Sequence, residues 1–186
     1  GAVSSILNQV QESGDSAIRE MAQKFDRSSP EHFEISRDDV EACAHTFKKE
    51  NPELYDALEY SFSLALKFAK KQRECFTNFE VELEEGIFTG QKTIPVERAG
   101  LYVPAGRFPL LSTVIMCASP AKAAGCSELI LCTPPNLHPA DIAAGKTKES
   151  GHLKPWADEG ILATAYICGI DRIFSSPMRR NSRTGK

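Results

Sequence analysis

Several common signatures are missing from the 186-residue chain, and each absence removes a class of function. No two cysteines form a C-x-x-C pair; Cys43, Cys75, Cys117, Cys126, Cys132 and Cys168 stand singly, mostly inside apolar runs. That usage fits reduced, buried thiols and speaks against a disulfide framework or zinc ribbon. No apolar run approaches the roughly 18 to 20 residues of a membrane span, and the first residues lack the basic-then-apolar order of a signal peptide. The formal charge of -3 gives no reason to expect nucleic acid or an anionic membrane as partner. A soluble, cytoplasmic protein is the expectation, and Gly1 in place of Met suggests a start further upstream.

Histidine is scarce as well. His32, His45, His138 and His152 are the only four, and none lies at a metal-ligating interval from another. There is no G-x-S-x-G, and no serine, cysteine or acid stands in a recognisable nucleophile context. Gly145-Lys146-Thr147 resembles the end of a phosphate-binding loop, but Ala140 replaces its first glycine, so the backbone has lost the residue that lets it wrap closely around phosphate.

What is present is a change of period. Over the first 76 residues apolar side chains recur at i, i+3, i+4, i+7: Val3, Ile6, Leu7, Val10; Ile18, Met21, Ala22, Phe25; Val40, Cys43, Ala44, Phe47. Three short helices are expected, with Gly14-Asp15 separating the first two and Ser36 with Asp39 forming a capping box in which Asp replaces the usual Glu or Gln. Asn51-Pro52-Glu53 supplies an N-cap, a first-turn proline and a favourable acid for a fourth helix reaching about Cys75. Two apolar stripes run along it, Leu54-Leu58-Phe62-Ala65-Ala69 and Tyr60-Leu64-Phe68, which predicts packing against two neighbours.

From Phe79 the period is two. Phe79, Val81 and Leu83 alternate with acids, Glu84-Glu85-Gly86 makes a turn, and Ile87, Phe88 and Ile94 to Val96 suggest a return strand that Pro95 makes an edge or interrupts. The Glu80, Glu82, Glu84, Glu85 series reads as a solvated face, not a catalytic pair. Ala99 to Val103 then predicts a strand, Leu110 to Ala124 a helix capped by Gly125 and kinked or split at Pro120, and Glu128 to Cys132 a second strand. After a loop from Pro134 to about Lys154, Ala157 to Cys168 is expected to be helical and Ile170 to Phe174 a third strand. The fold class is therefore α/β: a helical N-terminal region with a β-hairpin over 1–97, an incomplete βαβαβ half of a doubly wound, Rossmann-like parallel sheet over 98–175, and a flexible basic tail over 176–186. A three-stranded half-sheet has edges that normally pair further.

The first βα turn of such a unit is where a dinucleotide usually sits, yet Val103-Pro104-Ala105-Gly106-Arg107-Phe108-Pro109 lacks G-x-G-x-x-G. Tyr102 and the two prolines can form a rigid apolar surface for a planar ring; a packed turn that closes the core fits the spacing equally well.

The stretches "GLYVPAG", "STVIMCASPAKAAGC" and "LILCTPP", in that order, resemble the histidinol dehydrogenase family. "VQESGDSAIREMAQKFDR" is similar to the family's N-terminal helices and "ILATAYICGID" to the helix and strand after "TPP". The resemblance implies an NAD- and zinc-dependent oxidation of L-histidinol to L-histidine in histidine biosynthesis, by an enzyme that pairs as a homodimer. It implies that Tyr102 and Pro104 lie against NAD. Ala105 stands where the family commonly has Gly, and the family's "GGAQA" turn, its Glu-His acid/base pair and its zinc ligands have no counterpart here. The expectation is thus an N-terminal portion with no catalytic and no metal residue of its own, binding NAD weakly at most and zinc not at all. The other reading is a non-enzymatic binding or assembly module, or half of a split enzyme completed by a missing C-terminal half.

Overall fold

The computed structural model describes residues 2–22, 24, 32–105, 108–135 and 157–175. Helices α1 (Ala2–Ser13) and α2 (Asp15–Met21) are separated by Gly14, whose φ of 54° lies in the left-handed region that glycine adopts without penalty. Phe25, assigned to the second helix by periodicity, lies outside the described residues.

Strand β1 (Glu34–Ile35) corrects the all-helical reading of the first 76 residues. It pairs antiparallel with β6 (Arg172–Ser175), Glu34 opposite Phe174 and Ile35 opposite Ile173, so the sheet has four strands in the order β1-β6-β5-β4. Two residues carry no period of their own. The strand is held by its partner, through the Ser175 N–H donating to the Phe33 carbonyl at 2.8 Å and a two-pronged Arg172–Glu34 pair at 2.7 and 2.8 Å. One edge of the half-sheet is therefore covered from the N-terminal side.

Helix α3 (Arg37–Glu50) starts as its capping box predicts: the Asp39 N–H donates to Ser36 Oγ at 3.2 Å. The Asp39 carboxylate, one methylene shorter than Glu, accepts a hydrogen bond from the Ser36 hydroxyl at 2.6 Å. Helix α4 (Pro52–Glu74) has Pro52 in its first turn, but the Asn51 side chain makes no cap bond. Its backbone carbonyl accepts from the Tyr55 N–H at 3.0 Å instead.

The two stripes of α4 have different fates. Leu58 and Ala69 are buried and Phe62 and Ala65 half-buried, while Leu54 at the start of the stripe is 44% exposed; from Leu58 on, this face packs against α3, α5 (Leu111–Ala124) and α6 (Glu159–Ile167). Tyr60, Leu64 and Phe68 are 66%, 47% and 65% exposed. Among the described residues the main neighbours of α4 lie on the side of its first stripe.

The hairpin of β2 (Phe79–Glu84) and β3 (Ile87–Gln91) forms with a bulge near its turn, and Gly86 there has φ 82°. Gly90 faces Phe79 so closely that a Cβ would collide with the Phe79 carbonyl oxygen. The return strand ends at Gln91, before Pro95, whose missing N–H cannot join a ladder; Ile94 to Val96 stays outside it.

Strands β4 (Arg98–Tyr102), β5 (Glu128–Thr133) and β6 run parallel and are joined through α5 and α6. Successive right-handed crossovers in one direction place both helices on the same sheet face, and α5 and α6 do touch. The side chains on that face, Leu101, Val103, Leu129, Leu131 and Ile173, are buried with Val114, Ile115, Ala118, Ile161 and Leu162 in one cluster that also takes in Phe47 and Leu58. Each large aliphatic side chain fully buried there contributes about 1.5–3 kcal/mol. Pro120 neither splits nor ends α5: the carbonyl it leaves unpaired belongs to Met116, on the helix's exposed side. Residues 136–156 and 176–186, the expected long loop and tail, lie outside the described residues.

Candidate functional site

Alternation along β4 decides where Tyr102 goes. Leu101 and Val103 turn toward the helices and are buried, so Tyr102 must turn to the opposite face, which α5 and α6 leave open. It is 40% exposed there. Gly100, two residues back on that face, has nothing within 4 Å of where a Cβ would stand, so the ring has clear space on one side.

The strand register sets its neighbours. Tyr102 pairs with Cys132, Cys132 with Phe174 and Phe174 with Glu34, a row of four crossing the sheet near the C-terminal ends of its parallel strands. Sequence reasoning singled out Tyr102 alone. The signal for Cys132 and Phe174 was the same period of two, but which strands are adjacent is fixed by pairing. Arg172, behind Phe174, lies 4.9 Å from the Phe174 ring centroid while holding Glu34. Its hydrogen bond and charge keep the Glu34 carboxyl below the usual carboxylate range. Burial pushes the Cys132 thiol upward, so it stays protonated and unreactive at neutral pH.

Pro104 is half-buried directly after this row, and Ala105 meets Pro109 across a short antiparallel bridge that folds the turn back. Gly106 and Arg107 lie outside the described residues. Beyond the turn, α5 begins with no side-chain cap at Leu110, whereas Asp158 caps α6 by accepting from the Gly160 and Ile161 N–H groups at 3.0 and 3.1 Å. Thr133, at the C-terminal end of β5 on the helix-facing side, is fully buried and its hydroxyl has no hydrogen-bond partner among the described residues.

These features amount to a shelf for a flat, partly apolar ligand: an aromatic ring, a proline and an open sheet face at the C-terminal edge of parallel strands, where open α/β sheets bind ligands. They do not amount to a metal centre. Among the described residues no three His, Cys, Asp or Glu side chains gather as metal ligands. His45 meets Tyr166 edge to face at 6.0 Å, and His138 and His152 lie outside the described residues. Glu80, Glu82, Glu84 and Glu85 are exposed on the hairpin, where Glu82 accepts from the Gly86 N–H at 2.8 Å, a turn contact. Among the described residues no helix is long and apolar enough to cross a membrane.

The chain is 35% identical over 94% of its length to the histidinol dehydrogenase of Vibrio parahaemolyticus, and 34% identical over 93% to that of Escherichia coli. It is 31% identical over 93% to histidinol dehydrogenase homolog 1 of Mesorhizobium japonicum. The crystal structure of histidinol dehydrogenase from Elizabethkingia anophelis superposes with a TM-score of 0.75 at 30% identity, over 94% of this chain and 36% of that one. The chain spans about a third of the length of these relatives, 35%, 34% and 31% of the three in turn. The histidinol dehydrogenase family model matches residues 1–176, nearly the whole length, and the chain belongs to the histidinol dehydrogenase family.

Proposed function

We propose that the open face at the C-terminal edge of the sheet forms one side of a nicotinamide-dinucleotide site, with Tyr102 and Pro104 against NAD, in a protein that oxidises L-histidinol to L-histidine. The observation that carries this reading is the exit of Tyr102 onto the face opposite α5 and α6, with the conformationally restricted Pro104 two residues on. A planar ring meets an aromatic and a proline there without needing the close backbone approach that G-x-G-x-x-G provides. NAD, when bound, supplies the hydride acceptor; the residues named here hold and orient it.

Zinc fits differently. Among the described residues no three His, Cys, Asp or Glu side chains gather as its ligands, and in this reading the zinc ligands and the acid/base residues stand outside them. The described residues bind NAD weakly by themselves, because a shelf contacts one side of the dinucleotide. The protein works in the cytoplasm, as a homodimer, with no nucleic-acid or membrane partner.

Titration calorimetry of the purified chain with NAD tests the reading. Binding weaker than micromolar is expected, and Tyr102→Ala should weaken it about fivefold or more, the loss of one stacking contact of roughly 1–3 kcal/mol. Equal affinity in the two proteins would remove Tyr102 from the site. Zinc-dependent NAD reduction with histidinol, at a rate proportional to this chain, would overturn the assignment of catalysis to residues outside it.

A further inference from the structure

Glu34 is the one acid in the row that begins at Tyr102. Three strand spacings of about 4.8 Å separate the two residues, roughly 14 Å in all, on the scale of an extended dinucleotide. Between them stand Cys132 and Phe174, both half-buried, so the row is apolar in the middle and charged at its far end. A doubly wound sheet usually keeps an acid for the ribose hydroxyls about 20 residues after the first turn, at the end of the second strand. Here Cys132 and Thr133 occupy that strand end. β1 brings a carboxylate to the same edge from the other direction: it runs antiparallel to β6, which sets Glu34 opposite Phe174.

The carboxylate is both fixed and reachable. Arg172 donates from Nε to Oε1 at 2.7 Å and from Nη2 to Oε2 at 2.8 Å, one bond to each oxygen. A carboxylate has about four lone-pair sites, so each oxygen keeps one for a ligand hydroxyl. The Glu34 side chain is 43% exposed. Arg172 stands two residues before Phe174 on the same face, one row further from the C-terminal edge, with its guanidinium 4.9 Å from the Phe174 ring centroid. A ligand laid along the Tyr102 row therefore meets the carboxylate first and the guanidinium behind it. We propose that Glu34 is the specificity-determining residue of the cofactor face, accepting the hydroxyls of the dinucleotide's far ribose and excluding a coenzyme that carries a phosphate there. A 2′-phosphate removes a hydroxyl donor and brings like charge against the carboxylate, so NAD is selected over NADP.

This inference rests on the NAD reading above, and its test separates the two. Titration calorimetry with NAD and with NADP compares the purified chain with Glu34→Gln, Arg172→Gln and Tyr102→Ala. Glu34→Gln and Arg172→Gln both break the ion pair that holds β1 and share any loosening of that strand; only the first removes the carboxylate. The wild type should prefer NAD about tenfold or more, Glu34→Gln should narrow that preference about fivefold, chiefly through tighter NADP binding, and Arg172→Gln should keep it. Tyr102→Ala should weaken both dinucleotides alike. An unchanged preference in Glu34→Gln, the same loss in Arg172→Gln, or a wild type that binds the two coenzymes equally would overturn the role of Glu34. If Tyr102→Ala still weakens NAD in such a case, the cofactor face stands without it. A wild type that binds neither dinucleotide would overturn both.

Discussion

At the residue scale the site is a matter of which way alternate side chains point. Tyr102 is on the open face because Leu101 and Val103 are worth more buried against α5 than exposed, and the strand geometry leaves it no other direction. The stretch "GLYVPAG" left open whether Tyr102 packs into the core or stands free of it, and the strand's alternation decides. The company Tyr102 keeps was not legible there either: Cys132 and Phe174 are 30 and 72 positions further along, and only the parallel register aligns them. Thr133 shows the cost side. Its hydroxyl is buried without a partner among the described residues, a loss of hydration that no hydrogen bond from them offsets. Thr133→Val keeps the branched shape and removes the orphan group, so thermal denaturation should show a chain about 1 kcal/mol more stable. A lower melting temperature would mean that the hydroxyl serves a contact.

Single elements are where sequence reasoning did best, because helix ends obey local rules. Ser36 with Asp39 and Pro52 stand at the starts of α3 and α4 as read from their spacing. Gly125 ends α5 in the left-handed conformation, φ 93°, with its N–H and that of Cys126 closing onto the Lys122 and Ala121 carbonyls. Gly125→Ala puts a Cβ in ordinary contact with Pro95 but forces an L-residue into that φ. The expected loss is about 1 kcal/mol, read from a denaturant midpoint; an unchanged midpoint would mean that the helix end readjusts without cost. Asp158 caps α6 more directly, and Asp158→Ala should cost a similar ~1 kcal/mol by the same measurement. It escaped sequence reading because the preceding loop gave no clear helix start. β1 escaped for another reason: a two-residue strand has no period, and it exists only because β6 offers an edge.

For the molecule as a whole, the helices of the first half and the sheet of the second bury a common core, so their stabilities are linked. Cys43, near the α3–α6 contact, and Cys168, behind α6, report on that core. Burial pushes both thiols up to about 12, with Glu159 and Asp158 adding to the effect at Cys43 and Lys122 opposing it at Cys168. In the unfolded chain a thiol titrates near about 8.5. Between that value and about 12 the unfolded state therefore loses protons that the folded state keeps. The stabilisation is complete below the unfolded value and is lost as pH rises through this window. For Cys168 the slope is at most about 1.4 kcal/mol per pH unit. Melting curves between pH 8 and 11 should fall more steeply for the wild type than for Cys168→Ala. Parallel curves would show that the thiol is not held protonated.

By itself the sequence determined the family, the change from helical to strand period at Phe79 and most helix ends. All of these depend on neighbours within a few residues or on motifs read in order. Tertiary structure alone decided that β1 closes one edge of the sheet, that α4 buries one stripe and exposes the other, and that Tyr102, Cys132 and Phe174 share a row. Each of these depends on which distant segment lies alongside, and pairing and burial between segments far apart in the chain leave no local period to read.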